Sequence, residues 1–318
     1  MRTGAAADHP GYFHAAVHYD SDDELLAVTM PFLLGGLAAG EPTIVAFGER
    51  TAGLVRSALP ARAPVEFLSG GAVYARPAAA IRGYRDLLAR HVEAGATQIR
   101  IIGEMPAAAF GSTWDWWARY ESAINHAYDD FPLWSMCAYD TRVTPDAVLA
   151  DVARTHPRFA VADGRHEDSD TYTDPRVYLS EHRPPVPDPL QQGPPTVTLE
   201  SPTPAGARRA VHAADRGGVP AEDVDDLVVA VSETVTNALR YGRPPVRVRV
   251  WGGADRIVVT VTDAGSGPDD PFAGLLPAAA PAAGGRGLWI THQTCDHVAA
   301  AGDGEGWTIR MIAGATTA

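Results

Sequence analysis

The sequence contains no lysine: all 26 of its basic residues are arginine. That absence excludes a Walker A phosphate loop, the strand lysine of eukaryotic-type protein kinases and Schiff-base catalysis, because each needs a primary amine at one fixed place. Cysteine is scarce as well. Cys137 and Cys295 lie far apart and lack metal-ligand spacing, so neither a disulfide framework nor a zinc site is indicated. Positive charge is outweighed, with a formal net charge of −13. Nucleic acid and anionic membrane surfaces both demand a basic footprint, so proteins or small molecules are the expected partners. Long hydrophobic runs are missing too. The most apolar stretch, "LLAVTMPFLLGGLAAG", is interrupted by Pro31 and glycines, and the N-terminus lacks a basic region followed by an apolar core. A cytoplasmic protein is expected.

What is present fits two soluble domains: 318 residues, 46% hydrophobic and 20% charged. The proline-rich "RPPVPDPLQQGPP" at 183–195 reads as a stiff, extended linker separating residues 1–182 from 196–318. In the first part, apolar runs of strand length (43–47, 65–68, 98–102, 133–139) alternate with helical patterns, which predicts a parallel sheet flanked by helices. Ser21 to Glu24 predicts a capping box for the first helix, and Thr144 followed by Pro145 opens another. After the linker the order changes. A strand (196–200), two helices (from about Ala205, and from about Ala221 to Tyr241), a hairpin pair (246–251 and 256–263) and a closing strand (307–312) predict an α+β layer. No internal repeat is visible.

Three features of the second part carry chemistry. The helix containing "SETVTNALRYG" has an apolar stripe of Val224, Leu227, Val228, Val231, Val235 and Leu239, and sets Glu233 and Asn237 one turn apart on the face that this stripe avoids. Asp263, Gly265 and Gly267 in "DAGSG" end a strand, where a carboxylate can accept a hydrogen bond and glycines let a ligand approach the backbone. "PDDPFAGLLPAAAPAA" at 268–283 suits a mobile lid, and "GGRGLWI" then sets Gly284, Gly285 and Gly287 at the mouth of a helix, where free N–H groups bind phosphate.

In that order, the three boxes resemble the GHKL (gyrase, Hsp90, histidine kinase, MutL) ATP-binding fold, also called the Bergerat fold, over roughly residues 196–318. The resemblance implies ATP and Mg²⁺ as cofactors: Asn237 coordinates Mg²⁺, Asp263 accepts from the adenine amino group, Gly285 and Gly287 hold phosphates, and Thr308 sits near the adenine. Within that superfamily the first and last boxes look most like the anti-sigma-factor serine kinases of the RsbW class. That likeness implies that Glu233 is the general base toward a serine of a STAS-type anti-anti-sigma protein, that a sigma factor is the other partner, and that the protein is a homodimer. Two alternatives stand beside it. One is a nucleotide-gated protein-binding switch without chemistry. The other is a sensor histidine kinase, whose phosphoacceptor helix would occupy the place taken by the proline linker; His212 lies within the ATP domain's own first helix and reads as a surface residue.

Residues 9–159 resemble the MEDS sensory domain in the His and Tyr pattern near the start, the helix before "GEPTIVAF" and the closing "CAYD" and "THP" segments. The resemblance implies a relative of the RecA-type fold. "LLGGLAAGEP" nonetheless lacks the Lys-Ser/Thr that binds triphosphate. His14, His18, Tyr19, Glu104, Trp114, Trp116, Trp117, Cys137 and Tyr139 fall near strand ends and their connections, where ligands of open α/β sheets bind. His14, Tyr19, Cys137 and Tyr139 are the candidate sensory site for a small-molecule signal, with His14 and Cys137 eligible for a metal, heme or organic ligand. Against this, tryptophans at helical spacing are commonly core, and a cysteine in an apolar strand is commonly filler.

Overall fold

Apolar runs bounded by amphipathic helices assemble here into two separate sheets. The computed structural model describes residues 2–68, 76–162, 164–277, 286–302 and 306–314. It divides into two compact units, residues 1–75 with 80–179 and residues 76–79 with 180–318.

The first unit holds a sheet of β1 (Phe13–Tyr19), β2 (Thr43–Ala46), β3 (Glu66–Phe67), β4 (Ile99–Gly103), β5 (Leu133–Asp140), β6 (Arg158–Ala160) and β7 (His166–Asp168). Their order is β3-β2-β4-β5-β1-β6-β7, parallel throughout except for the β6–β7 pair. The central strands are buried on both faces, and their near-continuous apolar runs follow from that. Helices α1 (Asp22–Ala39), α2 (Glu49–Ala58), α3 (Pro77–Glu93), α4 (Trp114–Ala127), α5 (Asp146–Thr155) and α6 (Pro175–Ser180) alternate with the strands. This is the expected mixed α/β architecture with a parallel sheet.

Local details differ from the sequence reading in two places. Ser21 does cap α1, accepting from Glu24 N at 3.3 Å while Glu24 Oε2 accepts from Asp20 N at 2.8 Å. However, α1 runs unbroken through Pro31, because Leu25, Phe32 and Leu33 bury against the sheet and outweigh the lost backbone bond. Thr144 does not cap α5: Pro145 is the N-cap residue and makes no side-chain bond. Among the described residues, no helix is long and apolar enough to cross a membrane.

Side-chain alternation along β1 and β5 decides what each face carries. Phe13, Ala15, Val17 and Tyr19, with Trp134, Met136 and Ala138, pack into one core with Leu25, Val28, Phe32 and Leu33 of α1. His14 and Cys137 belong to the opposite face, toward α4, where Trp114, Trp116 and Trp117 are core residues. At the edge of the α1 side, Arg100 is buried with its Nε 2.6 Å from Glu41 Oε2, and Gln98 Nε2 donates to the same carboxylate at 3.0 Å. Arg100 Nη1 also donates to Phe32 O at 2.8 Å, and its guanidinium lies 4.5 Å from the Trp134 ring centre.

The second unit is built on an antiparallel sheet ordered β11-β12-β10-β9-β8, from β8 (Val197–Glu200), β9 (Arg247–Gly252), β10 (Arg256–Asp263), β11 (His297–Gly302) and β12 (Trp307–Gly314). Helices α7 (Pro204–Ala214), α8 (Ala221–Tyr241) and α9 (Arg286–Thr294) accompany it. Ile257, Val259, Val261, Ile309 and Met311 face Val211, Leu227, Val231 and Val235 in the core. The α8 stripe is narrower than its spacing suggests: Leu239 is 51% exposed, and Ala230 and Ala238 are buried in the stripe.

The other sheet face is not left to solvent. Residues 183–195 pack along it: Leu190 joins Trp251, Val258 and Ile312, Trp251 Nε1 donates to Gly193 O at 3.0 Å, and Arg256 pairs with Asp188 at 3.2 Å, both buried. Asp188 also caps a short 3-10 turn, Pro189–Gln192, in a capping box with Gln191. Composition makes this segment extended, and a few side chains dock it onto the sheet.

Candidate functional site

Glu233 and Asn237 stand on α8 beside the buried stripe and are half-buried. Neither side chain is bonded to or paired with any described residue. Gly287, in the first turn of α9, comes directly against both: a Cβ built there would lie 2.6 Å from Glu233 Oε2 and 3.1 Å from Asn237 Nδ2. Only a residue without a side chain leaves that carboxylate and amide where they are. The two helices are held together beneath this point by Thr234 and Thr291, whose hydroxyls are 3.4 Å apart in the core.

Asp263 closes β10 and is buried. Its Oδ1 accepts from Gly265 N at 2.7 Å and from Arg243 N at 3.1 Å, just past the end of α8, which ties the second box to the first. No described residue donates to Oδ2, which leaves one carboxylate oxygen to accept from a ligand. Gly267 has φ 79°, and a Cβ there would meet the Trp307 ring at 2.4 Å, so both conformation and space require glycine.

Of the residues named from the sequence, Glu233, Asn237 and Gly287 meet, and Asp263, Gly265 and Gly267 form a second group. Gly285 lies outside the described residues. Thr308 is placed differently: it shares the sheet face of Arg310 and Ile312 and its hydroxyl is 2.8 Å from that of Thr262. The residue in register with Asp263 is Trp307, which the sequence reading passed over. Of the lid segment, residues 268–277 are described, and there Phe272 and Leu275 are buried. His212 is exposed on α7.

In the first unit, His14 and Cys137 come together, and Tyr139 belongs to the same sheet face, its ring centre 5.8 Å from that of His156. Tyr19 has the opposite parity on β1 and joins the α1 core. Two residues not named as candidates complete the group: Glu121 of α4 and His156 just after α5. His156 was visible as part of "THP", and Glu121 as a carboxylate four residues before Asn125, on the same helix as Asp115. Burial raises the Glu121 carboxyl to about 8, lowers His14 to about 4 and His156 well below the usual histidine range, and drives the Cys137 thiol well up. His18 and Glu104 are shifted the same way, toward their neutral forms, by partial burial.

Residues 13–157 match the MEDS family, the MEthanogen/methylotroph, DcmR Sensory domain. Residues 197–313 match the histidine kinase-like ATPase domain. No curated protein matches the chain. Among solved structures, the NMR structure of the histidine kinase domain of the E. coli osmosensor EnvZ is similar at 20% identity, over 40% of this chain and 93% of that one, with a TM-score of 0.24. The chain therefore joins a sensory-domain segment to a kinase-like ATPase segment.

Proposed function

We propose that this protein is a signal-responsive regulator whose second unit binds Mg-ATP and acts as an RsbW-class anti-sigma factor, phosphorylating a serine of a STAS-type anti-anti-sigma protein. The observation that carries this reading is the meeting of Gly287 with Glu233 and Asn237. It sets a carboxylate and an amide, neither engaged by a described residue, at the mouth of a helix whose first N–H groups have no intrahelical acceptor. The residues fit a nucleotide: Asp263 offers Oδ2 to an exocyclic amine, the amide oxygen of Asn237 suits a hard cation, and the α9 N-terminus favours phosphate oxygens. When bound, ATP supplies the transferable phosphoryl group and Mg²⁺ spreads its charge. Glu233, one turn from Asn237, then holds the proton released by the attacking serine hydroxyl.

The functional division that goes with this reading is a sensory part at 1–182, a connector at 183–195 and the ATPase part at 196–318. The sensory part takes a small-molecule signal and biases the choice between sigma factor and STAS partner. The molecule works in the cytoplasm as a homodimer, without direct contact to nucleic acid or membrane.

The test is purified protein with Mg-ATP and a candidate STAS partner. Phosphoserine on the partner, lost in Glu233→Gln, is expected. Partner binding gated by nucleotide with no transfer would move the reading to a non-catalytic switch. Acid-labile phosphate on the protein itself would move it to a histidine kinase.

A further inference from the structure

In the sequence, His14 and Cys137 stand far apart, without ligand spacing. The fold adds what spacing does not show: Glu121 from α4 and His156 from the end of α5 complete a set of four donors whose ligand atoms all lie within 4.8 Å of one another. His156 Nε2 is 3.4 Å from Glu121 Oε2, His14 Nε2 is 3.5 Å from Cys137 Sγ and 3.8 Å from Glu121 Oε2, and Cys137 Sγ is 3.9 Å from Glu121 Oε2. Bonds of about 2.0–2.3 Å around a tetrahedral zinc ion put its ligand atoms roughly 3.3–3.6 Å apart. These four of the six separations match those edges to within a few tenths of an ångström, and the other two are no longer than 4.8 Å, so the donors need only small shifts to close on an ion.

The hydrogen bonds outside the cluster decide which way each imidazole presents itself. Asn125 Nδ2 donates to the backbone carbonyls of Glu121, Ser122 and Thr155, so its Oδ1 is an acceptor. That oxygen is 2.9 Å from His14 Nδ1, which must therefore carry the proton. His156 Nδ1 is 2.9 Å from Val152 O, an obligate acceptor, so it too carries its proton there. Both rings thus turn an Nε2 lone pair into the cluster, the tautomer that outer partners impose on metal-bound histidine. His156 is fully buried, and its Nε2 makes no hydrogen bond. A buried lone pair facing a carboxyl group needs a positive partner between them, either the proton held by Glu121 or a cation that displaces it.

We propose that His14, Glu121, Cys137 and His156 form a four-coordinate site for a divalent transition-metal cation of the zinc class in the sensory unit. Charge supports the assignment. One thiolate and one carboxylate neutralise a divalent cation, so the occupied site is neutral overall, as a dry interior requires. Two imidazoles with one thiolate select zinc and its neighbours over magnesium or calcium, which take oxygen ligands. The thiol and carboxyl protons leave to solvent on binding. Cys137 is the one member of the set that is only partly buried. The ion would join α4, β1, β5 and the residue that ends α5 at one point.

The experiment uses tag-free, full-length protein carrying Cys295→Ser, so that Cys137 is the sole thiol, freed of metal by chelator and then supplied with Zn²⁺ or Co²⁺ alone. The expected result is one zinc per chain surviving gel filtration. The cobalt form should show a thiolate charge-transfer band and strong visible bands of four-coordinate cobalt. His156→Ala should weaken zinc binding by about 100-fold or more, and Cys137→Ser should remove the charge-transfer band. Should either variant fail to fold by circular dichroism, the cobalt spectrum of the parent decides alone. A weak six-coordinate spectrum, or folded parent that retains no metal, overturns the proposal.

Discussion

Replacing Gly287 by alanine separates the chemistry of the second unit from its stability. Its backbone is not in the left-handed region, so alanine fits the conformation, and the first turn of a helix favours it over glycine by at most about 1 kcal/mol. The new methyl group would start 2.6 Å from Glu233 Oε2, against 3.4 Å for ordinary contact, so the carboxylate must retreat by about 0.8 Å. Swinging the end of a half-buried glutamate off its preferred rotamer costs about 0.5–1.5 kcal/mol, which largely cancels the helix gain. Stability should therefore change by no more than about 1 kcal/mol. Function should not be spared. A displacement near 1 Å of a catalytic group lowers rates by about 100-fold, or roughly 2.7 kcal/mol of barrier. Urea denaturation of wild type and Gly287→Ala, run beside phosphoryl transfer to the proposed STAS partner, measures both quantities. Unchanged transfer would refute the site, and a stability loss above about 3 kcal/mol would mean that the contact is structural.

Three further outcomes are expected. Arg100→Ala strands the buried Glu41 carboxylate and should cost about 3–5 kcal/mol in denaturant unfolding, most of it recovered when Glu41 is changed to leucine as well. Asp188→Ala leaves buried Arg256 only the exposed Asp255 carboxylate at 3.6 Å; residues 183–195 should lift from the sheet and become a protease-sensitive segment, whereas an unchanged digestion pattern would show that other contacts hold them. His297 is pushed down to about 3, first by burial and then by Arg310 and His292, so below pH 6.5 the unfolded chain binds a proton that the native state refuses. The stability it affects is intact above pH 6.5 and lost as pH falls toward 3, so His297 contributes about 1.4 kcal/mol to the drop between pH 7.5 and 5.5, the share that His297→Gln should remove from the unfolding of the second unit.

Much of the fold is readable because each part has a strong period. β10, at 256–263, and α8, from Ala221 to Tyr241, fall where alternation and helical spacing put them. β11 was not anticipated: "HVAAAG" is too rich in alanine to signal a strand, and pairing with β12 makes it one. β1 hides for another reason. "FHAAVHY" is buried on both faces, so its histidines break no visible alternation. The nucleotide boxes are legible because glycines and a carboxylate recur in order, yet the place of Trp307 beside Asp263 depends on strand register, which no local signal states. Parity along β1 likewise divides His14 from Tyr19, and only tertiary packing brings Glu121 and His156 to His14. Residues 183–195 read as a connector because proline dominates them, while their docking rests on a few scattered contacts, those of Asp188, Leu190, Gln191 and the carbonyls of Val186 and Gly193, that no local pattern announces.

Titration of a fluorescent ATP analogue, with and without Mg²⁺, into wild type, Asp263→Asn and Asn237→Ala tests the central claim most directly. The account predicts saturable binding by wild type, loss of binding in Asp263→Asn, and binding that no longer depends on Mg²⁺ in Asn237→Ala. Absence of binding by folded wild type at millimolar analogue, or equal binding by all three proteins, would contradict it.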